Sequence, residues 1–201
     1  MKEISTLTIK LLLICAVVAA LLASVNKITA PVIEANSQKS FEAAMSQVLP
    51  DSGTFEELNA EDFKESSGIT LNSIHKAEKG GYVASVICSE GYGGDISIMV
   101  GINKDLTVNQ AKIMSMSETP GLGAKASTPE FIGQYSGKEK GIEVVKTAPE
   151  GNDIQAISGA TISSKAVTKA VNAAIEAAEF FEGQAEADAT TSATKKEGGK
   201  E

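Results

Sequence analysis

The sequence predicts an α+β fold, in which a single N-terminal transmembrane helix precedes one domain of antiparallel strands with packing helices. Three patterns carry this prediction. The stretch Leu11–Asn26 has no charged residue and is rich in Leu, Ile, Val and Ala. Apolar residues alternate strictly with others over Ile96–Ile102, and six apolar residues fall on one helical stripe over Val167–Ala178. Strands followed by a packing helix, without regular β-α alternation, indicate an α+β domain.

Composition and charge restrict the class of function. A chain of 201 residues has room for one ordinary domain with an anchor and a tail, and 42% hydrophobic with 22% charged residues suits a globular fold. The formal net charge of -8 repels phosphate backbones, so no nucleic-acid partner is expected. The single histidine, His75, does not make a zinc or haem site and is expected at the surface or at a strand end. Cys15 and Cys88 form neither a disulfide framework nor a C-x-x-C pair.

The apolar N-terminal segment is predicted to be an uncleaved membrane anchor. Residues 8–26 form the span, and Lys10 near one end can extend its charged group to the lipid headgroups. A cleaved signal peptide is the alternative, because the strongest apolar stretch, Leu11–Ala23, is short enough for one. The bulky Leu21 and Leu22 stand where a cleavage site needs small residues, which favours the anchor.

The lysines around the span predict its orientation. Lys2 and Lys10 precede most of the apolar residues, and Lys27 follows them. The positive-inside rule therefore predicts that residues 1–7 are cytoplasmic. The domain of this single-pass protein is then expected on the extracytoplasmic side of the cytoplasmic (inner) membrane.

A second helical pattern follows the span. Residues 27–50 are predicted to form a juxtamembrane helix that ends at Pro50. The apolar residues with the spacing of one amphipathic helix face are Phe41, Ala44, Met45 and Val48. The acidic segment Leu49–Gly68 gives no assignment.

Residues 51–183 form the predicted soluble domain. Tyr82–Ser89 and Ile96–Ile102 are predicted strands, and the glycine-rich Gly91–Gly94 between them indicates a hairpin connection. The alternation over Ile96–Ile102 predicts that this strand has one buried face. Two further runs are predicted as strands: Leu106–Met116 and Ile142–Lys146.

The C-terminal part is predicted to be a helix followed by a tail. The stripe over Val167–Ala178 predicts the helix, and Gly183 is expected to end it. Residues 184–201 contain almost no bulky apolar side chain, so they are predicted to be disordered.

Two short motifs are candidates for a functional site, since the chain lacks a Ser/His/Asp set, a dinucleotide fingerprint and a P-loop. The first motif is Glu118-Thr119-Pro120-Gly121-Leu122-Gly123. Pro120 fixes one backbone angle, and the two glycines expose peptide N–H groups around one apolar residue, Leu122. A flat ring with carbonyl groups on its edge fits against such a loop. An ordinary turn between a strand and a helix is the alternative.

The second motif is Ser158-Gly159-Ala160-Thr161, followed by Ile162-Ser163-Ser164 and the final helix. The first turn of a helix directs unpaired N–H groups and the positive end of its dipole toward an anion. The two serines after Ile162 can add hydroxyl donors, and the Gly-Ala pair allows a phosphate to approach closely. The alternative is helix capping, for which Ser and Thr are the usual residues.

Taken together, the motifs resemble those of one flavoprotein family. The chain is similar to the FMN-binding domain of the G subunit of Rnf-type membrane electron-transport complexes, and to its relative, the C subunit of the sodium-pumping NADH:quinone oxidoreductase. The resemblance covers most of the chain up to about Gly183, and the compact length is more similar to the Rnf G subunit. Its elements are the N-terminal span, Gly91–Gly94, Glu118–Gly123, Phe131 followed by Gln134-Tyr135, and Ser158–Thr161.

This resemblance implies a covalent cofactor. FMN is expected to be joined to the Thr161 side chain by a phosphodiester through its ribityl phosphate, in a reaction that a separate flavin transferase performs with FAD as donor. No catalytic residue and no metal ligand is expected. The residues expected to bind the cofactor are Tyr92, Glu118, Thr119, Pro120, Gly121, Leu122, Gly123, Ser158, Gly159, Ala160, Thr161, Ser163 and Ser164.

The resemblance also implies a role in electron transport. The chain is expected to be a redox subunit, not a complete enzyme alone, of an ion-translocating ferredoxin:NAD oxidoreductase complex, with other membrane and redox subunits as partners and sodium or proton export as the coupled step. Three alternatives remain open. The chain is a free-standing anchored flavoprotein outside the cytoplasm, or the equivalent subunit of a sodium-translocating NADH:quinone oxidoreductase, or a non-redox assembly module in which Ser158–Thr161 is only a helix cap.

Overall fold

The computed structural model describes residues 2–64 and 66–197 of the chain. The fold divides into two compact units, Met1–Ala43 and Ala44–Glu201. The first unit belongs to one long helix. The second holds a sheet with its covering helices, and it contains both candidate motifs.

The first unit consists of most of helix α1 (Lys2–Val48). From Leu7 onward this helix is long and apolar enough to cross a membrane, with a mean hydropathy of 2.5 in its most apolar window. The sequence predicts two helical segments here, 8–26 and 27–50, and in the structure one continuous helix runs through both up to Val48. Pro31 lies inside it and removes one backbone hydrogen bond without ending the helix.

The second unit is built on a five-stranded antiparallel sheet whose strands lie side by side in chain order. The predicted strands at 82–89, 96–102 and 106–116 are confirmed, and so is the hairpin connection at Gly91–Gly94 between the third and fourth strands. The five strands are β1 (Phe55–Leu58), β2 (Ile69–Ala77), β3 (Tyr82–Cys88), β4 (Ile96–Ile102) and β5 (Val108–Met116).

Strand β2 shows why local pattern does not predict every strand. Its pairing with β3 shifts register between Leu71 and Ser73, and this irregularity interrupts the period of two that identifies a strand. His75 was expected at the surface or at a strand end; only 9% of its surface is exposed, which excludes the surface, and it lies near the end of β2. Burial lowers the pKa of the His75 imidazole, and the carboxylate of Glu57 opposes that shift.

Short elements connect β5 to the last helix. The predicted strand over 142–146 is reduced to a two-residue strand that pairs in parallel with a second short strand, outside the main sheet. These elements are α2 (Pro129–Ile132), β6 (Val144–Val145) and β7 (Ile154–Gln155), together with 3-10 turns at Gly123–Ser127 and Gly133–Tyr135.

Helix α3 (Thr161–Glu197) covers one face of the sheet. Its predicted apolar stripe is buried, and the many alanines of this stripe let the helix backbone approach the strands closely. The helix stripe is Val167, Ala170, Val171, Ala174, Ile175 and Ala178, and it shares one core with Ile96, Ile98, Val100 and Ile102 of β4.

The opposite face of β4 is also covered, which corrects the prediction of a single buried face. The last residues of α1, from Ala44 onward, belong to this unit, and Asn109 Nδ2 donates a hydrogen bond to the Val48 carbonyl at 2.7 Å. A Cβ atom at Gly101 would lie 2.1 Å from that same oxygen, so only glycine fits there. Met99 is fully buried on this face. The cover comes from residues remote in sequence, and the local alternation gives no sign of it.

Helix α3 continues through Gly183 to Glu197, so Gly183 does not end the helix as the sequence predicted, while the disorder of residues 184–201 stays a prediction. A glycine inside a helix costs about 1 kcal/mol relative to alanine. That cost does not end a helix whose next residues include several Ala, Glu and Lys. Residues 198–201 of the predicted tail lie outside the described residues.

Candidate functional site

Three connecting segments meet beside the first turn of α3. They are the hairpin turn Gly91–Gly94, the loop Glu118–Gly123 after β5, and the turn before Thr161. Together they form a cavity of about 540 Å³. The residues that line it are Tyr92, Glu118, Thr119, Leu122, Gly123, Gly159, Ala160, Thr161, Ile162 and Ser163.

The cavity brings together nine of the thirteen residues that the sequence predicts as cofactor-binding. The other four, Ser158, Pro120, Gly121 and Ser164, belong to the same segments but do not line it. Ile162 is the lining residue that the sequence analysis did not predict. An apolar residue at the start of a helix was the feature of the sequence that could have identified Ile162. In the structure the Ile162 side chain is 53% exposed.

The loop Glu118–Gly123 is a tight turn and a wall of the cavity at once. The carbonyl of Thr119 accepts hydrogen bonds from Leu122 N at 3.2 Å and from Ala124 N at 3.1 Å. Gly121 has a φ of +79°, a conformation that strongly favours glycine. This geometry leaves the Leu122 side chain 45% exposed at the cavity.

Glu118 joins the three segments. Its side chain is buried, with Oε1 accepting from Gly93 N at 3.2 Å and Oε2 accepting from Ser163 Oγ at 2.8 Å. One carboxylate therefore ties the hairpin turn to the first turn of α3. The partners lie 25 and 45 residues away in the sequence, respectively.

Two glycines let the three segments approach one another closely enough for this junction to form. A Cβ atom at Gly123 would lie 2.3 Å from Glu118 Oε2 and 2.6 Å from Ser163 Oγ, nearer than such atoms can approach. A Cβ atom at Gly93 would lie 2.1 Å from the Ser117 carbonyl oxygen. Larger side chains at either position would separate the segments that line the cavity.

Thr161 is the first residue of α3 and is half-buried. The Ala160 carbonyl accepts from Ser164 N at 3.0 Å, so the N–H groups of Thr161, Ile162 and Ser163 have no acceptor within the helix. Across the part of the chain that the structure describes, the Thr161 hydroxyl has no hydrogen-bond partner. It therefore does not act as a helix cap.

The two serines after Ile162 have other partners. Ser163 Oγ donates a hydrogen bond to Glu118 Oε2. Ser164 Oγ donates one to the Ala160 carbonyl at 2.9 Å and accepts one from Ile157 N at 3.0 Å. The buried Ser164 side chain thus stabilises the turn that precedes the helix. The contact between the Ser164 hydroxyl and a phosphate stays a prediction.

Gln134 and Tyr135 form hydrogen bonds with residues next to the cavity segments but do not line the cavity. Gln134 Oε1 accepts from Gln155 N at 2.7 Å, shortly before the turn that leads to Thr161. The hydroxyl of Tyr135 lies 2.7 Å from that of Thr168, on the buried side of α3. Burial raises the pKa of the Tyr135 phenol. Tyr135 therefore contacts α3 itself, whereas Gln134 binds the short strand β7 that precedes the turn.

The cavity suits a planar cofactor with a phosphate. Its volume falls within the roughly 300–1,000 Å³ of small-molecule sites. The exposed apolar side chains of Tyr92, Leu122 and Ile162 lie around it, while the free N–H groups of α3 can bind an anion. The chain contains no arginine, and no lysine lines the cavity among the described residues, so no cationic side chain there competes with these N–H groups for an anion.

A second cavity, of about 650 Å³, lies beside α3, and its lining includes Ile69 of β2 and Ile142. Charged residues of both signs line it, including Glu90, Lys165 and Lys169. None of the predicted cofactor-binding residues lines this second cavity.

Comparison with known proteins agrees with this geometry. A family model described as FMN-binding domain matches residues 91–176, and one described as RnfG N-terminal region matches residues 1–48. The G subunit of the Na(+)-translocating ferredoxin:NAD(+) oxidoreductase complex of Acetobacterium woodii is 36% identical over 190 residues, which cover 87% of this chain and 91% of that protein. The chain belongs to the family of Rnf G subunits.

Two further proteins are similar to this member of the Rnf G-subunit family. The G subunit of the proton-translocating ferredoxin:NAD(+) oxidoreductase complex of Clostridium ljungdahlii is 36% identical, over 90% of this chain and 95% of that protein. A crystal structure of the C subunit of the Na(+)-translocating NADH-quinone reductase from Parabacteroides distasonis is 26% identical with a TM-score of 0.44, over 52% of this chain and 58% of that one. All three segments of the cavity lie within the FMN-binding domain of the Rnf G-subunit chain.

Proposed function

We propose that the chain holds FMN in the cavity of about 540 Å³, with the phosphate at the first turn of α3. The Leu122, Tyr92 and Ile162 side chains provide apolar contacts for the ring. The helix N–H groups stabilise the phosphate through hydrogen bonds and through the positive end of the helix dipole. The observation that carries the proposal is the meeting of both predicted motifs and the Tyr92 turn at a single cavity.

The phosphate is joined to Thr161 Oγ1 by a phosphodiester. The hydroxyl of Thr161 lines the cavity, has no partner of its own in the described structure, and lies beside the free N–H groups of the helix. The one carboxylate that lines the cavity among the described residues, that of Glu118, already accepts hydrogen bonds from Ser163 and Gly93, so no described lining residue is an evident base for the reaction. A flavin transferase therefore makes the bond.

The attachment reaction would form a phosphoester bond at Thr161 at the expense of the phosphoanhydride bond of FAD. Thr161 Oγ1 attacks the phosphorus of the FMN half of FAD, the pyrophosphate bond breaks, and AMP leaves. The hydroxyl proton passes to a base of the transferase. The new bond lies far from the redox-active ring, so the linkage retains the cofactor and leaves its chemistry unchanged.

The bound flavin makes the chain an electron-relay subunit of a membrane-bound, ion-translocating ferredoxin:NAD oxidoreductase complex. FMN accepts and passes on electrons, and the protein supplies binding, orientation and electrostatics. The relatives in Acetobacterium woodii and Clostridium ljungdahlii carry that complex in their names and align over nearly their whole lengths. The match of residues 1–48 to the RnfG N-terminal region favours this role over that of the equivalent protein in the quinone reductase.

A complex-bound relay and a free-standing flavoprotein differ in purification. An affinity tag on the full chain, expressed in its native membrane, is expected to bring down other membrane and redox subunits after detergent extraction. Reduced ferredoxin is expected to bleach the bound flavin only when those subunits are present. Purification of the chain alone, or direct reduction of the isolated chain by ferredoxin, would favour the free-standing flavoprotein.

The FMN-binding domain is proposed to lie outside the cytoplasm, on the basis of the lysines around the span. Alkaline phosphatase folds only outside the cytoplasm, so its fusion after Glu201 is expected to be active. The same enzyme fused before Met1 serves as the matched control and is expected to be inactive. Activity of the fusion before Met1 and inactivity of the fusion after Glu201 would indicate the opposite orientation.

A further inference from the structure

One charged side chain lines the cofactor cavity among the described residues, and it is the carboxylate of Glu118. Only 7% of its surface is exposed. Both of its oxygens act as acceptors, one from a backbone N–H group and one from a hydroxyl. This is the bonding pattern of an ionised carboxylate.

A buried negative charge acts strongly on a redox group in the same cavity. Charges interact far more strongly in a protein interior than in water, because the effective dielectric constant is lower. Reduction of a flavin by two electrons and one proton leaves it one unit more negative than before. A fixed carboxylate nearby disfavours that state, and no lysine among the described lining residues offsets it.

We propose that Glu118 sets the reduction potential of the bound FMN, holding it more negative than the rest of the cavity would. This inference rests on the proposed function. It gives Glu118 an electrostatic role in addition to joining the three segments. A strongly reducing flavin suits a relay that must pass its electrons onward.

The substitution Glu118→Gln separates charge from structure. Glutamine has nearly the same shape, and its amide oxygen can accept from Gly93 N as the carboxylate does. Its NH₂ group can donate to Ser163 Oγ, because a serine hydroxyl acts as donor or acceptor. The junction of the three segments is therefore retained while the negative charge is removed.

The experiment equilibrates flavin-loaded full-length protein with a dye couple of known potential. In Glu118→Gln, the ratio of reduced to oxidised flavin at a fixed potential is expected to rise at least threefold. For a two-electron couple this is a shift of about 14 mV toward more positive potential. A smaller rise, no change or a decrease would overturn the inference.

Glu90→Gln is the matched control. Glu90 precedes the same hairpin turn, but its side chain is 49% exposed, pairs with Lys169 and does not line this cavity. Solvent screens charges at such positions, so the flavin potential is expected to stay unchanged. A shift equal to that of Glu118→Gln would indicate a general effect of surface charge and would overturn the inference.

If Glu118→Gln does not retain flavin, Ser163→Ala tests the electrostatic role of Glu118 instead. It keeps the carboxylate but removes the hydroxyl that donates to it, so the potential is expected to become more negative. No shift or a positive shift would count against the inference. Fluorescence of the denatured wild-type protein is measured in parallel. Its absence refutes the covalent flavin itself, whereas its presence with unmoved potentials refutes only the role of Glu118.

Discussion

Thr161→Ala is expected to abolish covalently bound flavin while leaving the domain folded. The alanine removes the attachment oxygen, and alanine has the highest helix propensity of all residues. The Thr161 hydroxyl makes no hydrogen bond in the described structure, so the free energy of unfolding is expected to change by no more than about 0.5 kcal/mol. A threonine that served only as a helix cap would instead lose about 1 kcal/mol of stability and leave flavin content unchanged. Fluorescence of the denatured protein in a gel and thermal unfolding measure the two quantities.

Two further variants sharpen this test. Thr161→Ser keeps a hydroxyl at the same position and is expected to retain part of the attachment. Ser158→Ala removes an exposed hydroxyl from the same motif and is expected to retain all of it, because Ser158 does not line the cavity. Persistent fluorescence of denatured Thr161→Ala, or its loss in Ser158→Ala, would contradict the assignment.

Gly123→Ala is expected to have the second largest effect. Its Cβ would lie 2.3 Å from Glu118 Oε2 and 2.6 Å from Ser163 Oγ, two atoms that are themselves hydrogen-bonded at 2.8 Å. The side chain would force these partners apart and open the junction of the three segments. Overpacking of this kind costs about 1–3 kcal/mol. The flavin content is expected to fall, and the absorption spectrum of the remaining flavin is expected to change.

Other glycines provide the controls for Gly123→Ala. Gly133 has a φ of -67° and no atom near its Cβ position, so Gly133→Ala is expected to leave flavin and stability nearly unchanged. Gly121→Ala meets no neighbour either, but its φ of +79° strains an alanine, so a smaller and local effect is expected. If Gly123→Ala has the spectrum and stability of Gly133→Ala, the loop is an ordinary turn with no part in the cofactor site.

Local sequence patterns predicted the strands and helices whose apolar residues repeat with a regular period. The strict alternation of β4 and the apolar stripe of α3 are periodic because each packs one face against the same core. Strand β2 escaped prediction because its register shift breaks the period. The cover over Gly101 was missed because it comes from Val48, and the end of α3 was missed because Gly183 alone does not stop a helix.

The sequence predicted residues that meet at one cavity, but it did not predict the contacts between them; their binding of a cofactor stays a prediction. The motifs are short and contiguous, so nine of the thirteen predicted residues reach the cavity. Hydroxyl partners depend on the three-dimensional fold instead. Ser163 binds Glu118 and Ser164 binds the turn before Thr161, and neither pairing can be inferred from spacing. The motif Gln134-Tyr135 gained a physical reason only when its contacts to Gln155 and Thr168 were known.

The most direct test of the central claim is mass spectrometry of one tryptic peptide. Cleavage after Lys146 and Lys165 releases residues 147–165, which contain Thr161, from full-length protein produced together with its flavin transferase. The account predicts that this peptide is heavier by FMN minus one water, and that fragmentation places the added mass on Thr161. An unmodified peptide, or FMN on Thr147, Ser158, Ser163 or Ser164, would contradict it.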